Sequence, residues 1–166
     1  KDLFPPVRPL QGNTPPGGGN DPSLLDLIAD YLDTEVPRRE IPGDPTSDFI
    51  VTDPFRCPSD AAGAGANGNI KPVWAENGTS YEYFPAPFML LGELLFVKNP
   101  QFGVTKAYEK DRNWPILTDA DDFHKLRRNG PSRNAVYYPD YRADWLVEIS
   151  PTDLGKFIED MVRYGG

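Results

Sequence analysis

The residues best equipped for chemistry are crowded into Asp119-Ala120-Asp121-Asp122-Phe123-His124, where three carboxylates and the chain's single histidine fall within six positions. The cluster follows a β-prone run, Trp114 to Asp119, so it sits at the end of an expected strand, where functional loops gather. Three carboxylates this close repel one another unless a cation, basic side chains or solvent intervenes. Calcium takes oxygen ligands from such a turn, which makes Asp119, Asp121 and Asp122 candidate metal ligands. Asp119-x-Asp121 matches only the start of an EF-hand loop; its glycine and terminal glutamate are absent. The bland solution is a salt-bridged turn, because Lys125, Arg127, Arg128 and Arg133 lie close by in sequence. A metal-dependent hydrolase would be built on Asp119, Asp121 and His124. Nucleophilic catalysis would need Cys57 or a serine to meet His124 across the fold. The sequence has no nucleophile elbow, and nothing in it brings Cys57 to His124. The expectation is a protein that is not an enzyme.

Cys57 is the only cysteine. It rules out an internal disulfide and any multi-cysteine zinc site. Beside Pro58 it reads as a small buried apolar residue, with Ser59-Asp60 as turn formers. The glycine-alanine run 61–69 lacks the Lys-Ser/Thr ending of a phosphate-cradling loop and reads as a length-tolerant connection. Asn77-Gly78-Thr79 matches a glycosylation acceptor but reads as a turn.

The 166 residues fit one domain, 1–166, with 1–20 an extended Pro/Gly/Asn-rich segment. The apolar fraction is 39%, with 19 prolines and 15 glycines, which implies long irregular connections. The net charge of −8 is uneven: residues 1–83 carry 6 basic and 13 acidic groups, net −7, and residues 84–166 carry 11 and 12, net −1. An acidic surface repels phosphate backbones and anionic lipid, so no nucleic-acid partner and no electrostatic membrane docking is expected. No apolar run approaches the ~20 residues that span a bilayer. The chain begins at Lys1 without a methionine, and the expectation is a fragment from which an upstream leader or anchor has been removed.

The elements that would position these residues follow from periodicity. Asp21 and Pro22 form an N-cap and first helical position, and Leu24, Leu25, Leu27, Ile28, Tyr31 and Leu32 recur at helical spacing. Residues 35–48 form a loop, and Phe49-Ile50-Val51-Thr52 a short strand. Val73-Trp74 and Tyr81 to Phe84 are β-prone. The apolar run Phe88 to Val97 is too short to span a membrane and predicts a buried short helix. Asn134 to Tyr138 and Ala143 to Ile149 form a β-hairpin around Pro139-Asp140-Tyr141-Arg142. Ser150-Pro151-Thr152-Asp153 opens a last helix, whose apolar face is Leu154, Phe157, Ile158, Met161 and Val162. Tyr137, Tyr138, Tyr141 and Trp145 crowd the hairpin. Alternate members face opposite sides, so one set packs inward and the other is a candidate interaction surface.

The order of short motifs resembles the soluble domain of bacterial pilin-like proteins, the type II secretion pseudopilins and their prepilin-type relatives. The likeness is to the branch common in Planctomycetes, Verrucomicrobia and Lentisphaerae. The matching pieces are Phe4-Pro5-Pro6, Tyr31-Leu32, Phe55-Arg56-Cys57-Pro58-Ser59-Asp60, Ser80-Tyr81, Leu117 to Asp121, His124, and Asn134 to Trp145. Together they span nearly the whole chain. The chain departs from that pattern in the longer interval of 15 residues between His124 and Asp140 and in Tyr141 where the family has glycine.

The resemblance implies a filament subunit of the periplasm or cell surface, serving secretion or adhesion. In full-length form it is anchored in the inner membrane. It would bind other pilin-like subunits through an N-terminal hydrophobic helix that this chain lacks, and the isolated domain would be a monomer or weak oligomer. No cofactor is required; calcium, bound by some members in a C-terminal loop, is the one candidate.

The expected fold is α+β: an antiparallel sheet ending in a β-hairpin, with flanking helices and long loops. The rival functions are a secreted ligand- or carbohydrate-binding module that uses the hairpin aromatics, and the hydrolase named above.

Overall fold

In a computed structural model the chain folds as an α+β domain, described for residues 3–7, 24–44, 46–64, 68–111, 113–124 and 133–166. The N-cap expected at Asp21-Pro22, most of the 1–20 segment and the basic residues Lys125, Arg127 and Arg128 lie outside the described residues.

The elements in order are α1 (Leu24–Leu32), β1 (Arg38–Arg39), β2 (Phe49–Ile50), α2 (Val73–Asn77), β3 (Tyr81–Tyr83), α3 (Pro85–Leu94), α4 (Pro100–Lys110), β4 (Pro115–Asp119), β5 (Asn134–Tyr137), β6 (Ala143–Trp145) and α5 (Pro151–Gly165). Strands β3-β4-β5-β6 form one antiparallel sheet, and β1-β2 form a small ribbon. The register that matters pairs Tyr81 with Asp119 and Asn134 with Trp145.

α5 begins as its sequence requires. The Ser150 hydroxyl accepts the Asp153 N–H at 3.1 Å, and Pro151 takes the first position, where its missing N–H costs nothing. The Phe157 and Met161 face of α5 enters a core with Phe88, Met89, Val104, Tyr108 and Trp114. α4 lies against α5 so closely that glycine is required: a Cβ on Gly103 would stand 2.3 Å from the Met161 carbonyl oxygen. A smaller cluster seats α1 and the chain's start, Val7 and Phe4, on Tyr83 and Ala86. Gln101 Nε2 donates to the Phe4 carbonyl at 2.7 Å.

Residues 35–48, expected as a loop, include the short strand β1, and the helices differ from expectation as follows. Val73-Trp74 is helical, not extended. α4 is a full helix where apolar periodicity gives little warning; Asn99 caps it by accepting the Phe102 N–H at 3.0 Å. The run 88–97 is helical only to Leu94, and its burial is broken: Leu94, Leu95 and Phe96 are exposed before Val97 is buried again. No helix among the described residues is long and apolar enough to cross a membrane.

Candidate functional site

The sheet and the loop 51–60 bring together residues that are far apart in sequence. Asp119 ends β4 beside Tyr81, and Ser80 precedes Tyr81. The Ala120 N–H donates to the Ser80 carbonyl at 2.8 Å, and the Ser80 N–H to the Phe55 carbonyl at 2.9 Å. These bonds lay the Phe55–Asp60 loop across the end of β3 and β4. The Ser80 hydroxyl then completes the join. It accepts the Cys57 N–H at 2.9 Å and donates to Asp60 Oδ2 at 2.7 Å.

Asp60 is buried and does more than form a turn. Its Oδ1 accepts the Val73 N–H at 2.9 Å and its Oδ2 the Trp74 N–H at 3.0 Å, so it satisfies the open N-terminus of α2. The Trp74 indole N–H donates to the Asp60 carbonyl at 3.1 Å. Cys57 emerges from this frame buried, 5% exposed, with its Sγ 3.5 Å from His124 Nε2. Asp119, 3% exposed, places Oδ2 at 3.3 Å from the same nitrogen. Its Oδ2 also accepts the Asn134 N–H at 2.6 Å, which fixes it to the start of β5. The Trp145 ring meets the His124 ring edge-on, centroids 6.1 Å apart.

Burial pushes the Asp119 carboxyl above its ordinary value, against the lowering pull of the Asn134 N–H, His124 and Arg133. Tyr81 is pushed up to about 12, first by burial and then by the neighbouring charges of Cys57 and Asp119.

The structure therefore joins Cys57 to Asp119 and His124, a meeting that no local spacing signals. Asp121 and Asp122 do not join them. Asp122 Oδ1 accepts from Arg133 Nε at 3.0 Å, and Asp121 takes the Asn69 amide at 2.9 Å and Arg133 at 3.7 Å. Asp121 and Asp122 thus share Arg133, while Asp119 turns to His124 and the Asn134 N–H. Among the described residues, the group whose ligand atoms converge is Cys57, Asp119 and His124, all within 4.8 Å of one another.

As a catalytic triad the arrangement is poor. A relay needs the carboxylate on one imidazole nitrogen and the nucleophile on the other; here both approach Nε2. A surface depression of about 360 Å³ reaches Cys57 past Arg56, Pro58 and Trp74, but neither Asp119 nor His124 lines it.

The hairpin aromatics divide. Tyr137 is buried, its hydroxyl donating to the Trp145 carbonyl at 3.0 Å and accepting the Val147 N–H at 2.9 Å. Tyr138 packs on Phe4 and Tyr108. Tyr141 and Trp145 stay exposed.

Sequence reasoning missed Ser80 and Asp60 as the joints of the site. Their one signal was co-occurrence: the Phe55–Asp60 and Ser80-Tyr81 motifs are both part of the resemblance, and here they touch. Comparison with protein families, with curated proteins and with solved structures finds no match.

Proposed function

We propose that this domain is a non-catalytic assembly module: the surface domain of a subunit in a pilus-like or type II secretion pseudopilus filament, at the periplasm or cell surface. The observation that carries this reading is the α3–α4 knuckle. Leu94, Leu95 and Phe96 stand outside the core in a row, with Leu94 67% and Phe96 93% exposed. Phe96 is also held at φ 57°, a conformation that costs an L-residue of this bulk free energy. An acidic, polar chain that fixes three apolar side chains at a rigid corner presents them to a partner. The corner is rigid because the Val97 N–H donates to the Gly92 carbonyl at 2.9 Å and the Asn99 N–H to the Gly165 carbonyl at 2.8 Å, tying it to α3 and α5.

The buried cysteine–aspartate–histidine node supports the same reading, because thiol and carboxylate approach one imidazole nitrogen and not the two that a relay needs. A hydrolase on Asp119, Asp121 and His124 would need Asp121, which Asn69 and Arg133 engage. A carbohydrate platform on the hairpin keeps only Tyr141 and Trp145.

The test is the gene upstream of Lys1. The filament reading expects a prepilin leader followed directly by ~20 apolar residues. A plain secretory signal with no such helix would contradict it.

A further inference from the structure

We propose that Cys57 Sγ, His124 Nε2 and Asp119 Oδ2 form a binding site for a first-row divalent cation of the zinc class, with solvent in the fourth position. The inference stands independently of the filament reading, since it needs only the three side chains and their supports.

The distances decide between a hydrogen-bonded cluster and a ligand set. A single imidazole Nε2 carries at most one proton. Two acceptors at 3.5 and 3.3 Å would share it, and the oxygen lies beyond the usual 2.7–3.2 Å range of an N–H···O bond. As hydrogen bonds the two compete for one nitrogen: 3.5 Å is ordinary for a contact to sulfur, but the carboxylate at 3.3 Å is long and, where the thiol donates to the nitrogen, faces a lone pair. A tetrahedral cation with a metal–sulfur bond of about 2.3 Å and metal–nitrogen and metal–oxygen bonds of about 2.0–2.1 Å sets its ligand–ligand edges at about 3.6 Å for S···N and about 3.4 Å for N···O. The two separations that involve the imidazole nitrogen match those edges within about 0.1 Å, the sulfur and the carboxylate lie within 4.8 Å of each other, and the shared nitrogen is then the expected geometry rather than a conflict.

The donor chemistry narrows the cation. One thiolate, one imidazole and one carboxylate suit zinc and its neighbours. Calcium and magnesium want six or more oxygens or waters, so this set differs in kind from a calcium turn on Asp119, Asp121 and Asp122.

The ligands are also supported as metal ligands require. The Asn134 N–H holds Asp119. The Ser80 hydroxyl, itself anchored on Asp60, holds the Cys57 backbone, and the Trp145 edge packs on the His124 ring. The sulfur and carboxylate are buried, while the His124 side chain is 23% exposed and gives the ion a way in. On binding, the Cys57 thiol releases its proton to solvent and the metal–sulfur bond forms. The ion would then tie the Phe55–Asp60 loop, the end of β4 and the turn after it into one unit.

The experiment uses the whole chain, stripped with a chelator and dialysed, with Zn²⁺ alone as the titrant in calorimetry. One ion should bind per chain, with proton release, and should raise the thermal midpoint. Co²⁺ in place of zinc should give a thiolate-to-metal charge-transfer band. Cys57→Ser should abolish that band and weaken Zn²⁺ at least about 100-fold, since loss of an outer-shell support alone costs 10–100-fold. His124→Gln, at a part-exposed position, should weaken it comparably while circular dichroism stays native. Asp121→Asn should bind as the wild type does, and millimolar Ca²⁺ should not displace the zinc. The proposal is overturned if the wild type shows no saturable Zn²⁺ binding at micromolar concentration. It is equally overturned if Co²⁺ binds without a thiolate band, or if H124Q binds Zn²⁺ unchanged. Loss of binding in D121N with retention in C57S would assign the ion to the acidic turn instead.

Discussion

Ser80→Ala removes one oxygen from the point where the Phe55–Asp60 loop, α2 and the sheet are joined. Ser80 is fully buried, and its hydroxyl serves two partners that are buried as well. Without it the Cys57 N–H has no acceptor, which costs about 1–3 kcal/mol for an unsatisfied buried donor. Asp60 loses a charge-assisted bond of about 1.5–3 kcal/mol but keeps the Val73 and Trp74 N–H groups, so only part of that is felt. Neighbouring losses do not add fully, and the expected net is about 3 kcal/mol. For a domain near this size, each kcal/mol moves the midpoint by about 2–4 °C, so S80A should melt about 6–12 °C below the wild type. The assay is urea and thermal unfolding by circular dichroism, with Trp74 fluorescence as a local reporter because its indole N–H is bonded to the Asp60 carbonyl. Asp60→Asn should cost about as much, because its amide would turn a donor towards groups that need an acceptor. The double variant should lose clearly less than the sum. A loss below about 0.5 kcal/mol for S80A, or full additivity with D60N, would show that the hydroxyl does not hold this joint.

Gly103→Ala should destabilise by about 2–3 kcal/mol, because its Cβ would stand 2.3 Å from the Met161 carbonyl oxygen and force α4 from α5; unfolding in urea reads this directly. Glu82 is half-buried, and burial raises its pKa against a lowering pull from Arg133. A carboxyl raised in the folded state supports stability below its ordinary value, and that support is lost as pH rises through the raised value. Glu82→Gln should therefore match the wild type near pH 4 and be equal to or up to about 1 kcal/mol more stable at pH 7; a clear destabilisation at pH 7 would reverse the sign. Phe96→Ser should leave the melting midpoint within about 1 °C, since the ring is almost wholly exposed, and relief of its left-handed backbone adds nothing large.

The sequence announced the elements whose signals are local. α5 shows its cap, its proline and its apolar face within a few residues, and the hairpin shows its turn. α2 was illegible for a physical reason. Val73 and Trp74 prefer strands, but the carboxylate that satisfies their N–H groups belongs to Asp60, 13 and 14 residues upstream. α4 carries little amphipathic pattern, and Asn99-Pro100 was its one legible mark. Leu94 to Phe96 looked like core because they continue an apolar run; only the turn at Phe96 sends them outward. The node is least legible of all. Cys57 and His124 are 67 positions apart, and their meeting depends on the Tyr81–Asp119 register and on Ser80 bridging a loop to it. Neither is encoded in local spacing. The acidic cluster was visible as residue types, yet Asp121 and Asp122 pair with Arg133 while Asp119 turns to Asn134 and His124.

If the filament reading proposed above holds, the exposed corner at Leu94, Leu95 and Phe96 packs against copies of the same protein. A photocross-linking amino acid at position 96, in the protein expressed from its own gene in intact cells, tests this contact. The expected result is a ladder of bands at multiples of the subunit mass, lost when Leu94 and Leu95 are changed to serine. Monomer alone, or capture only of an unrelated protein, would contradict it.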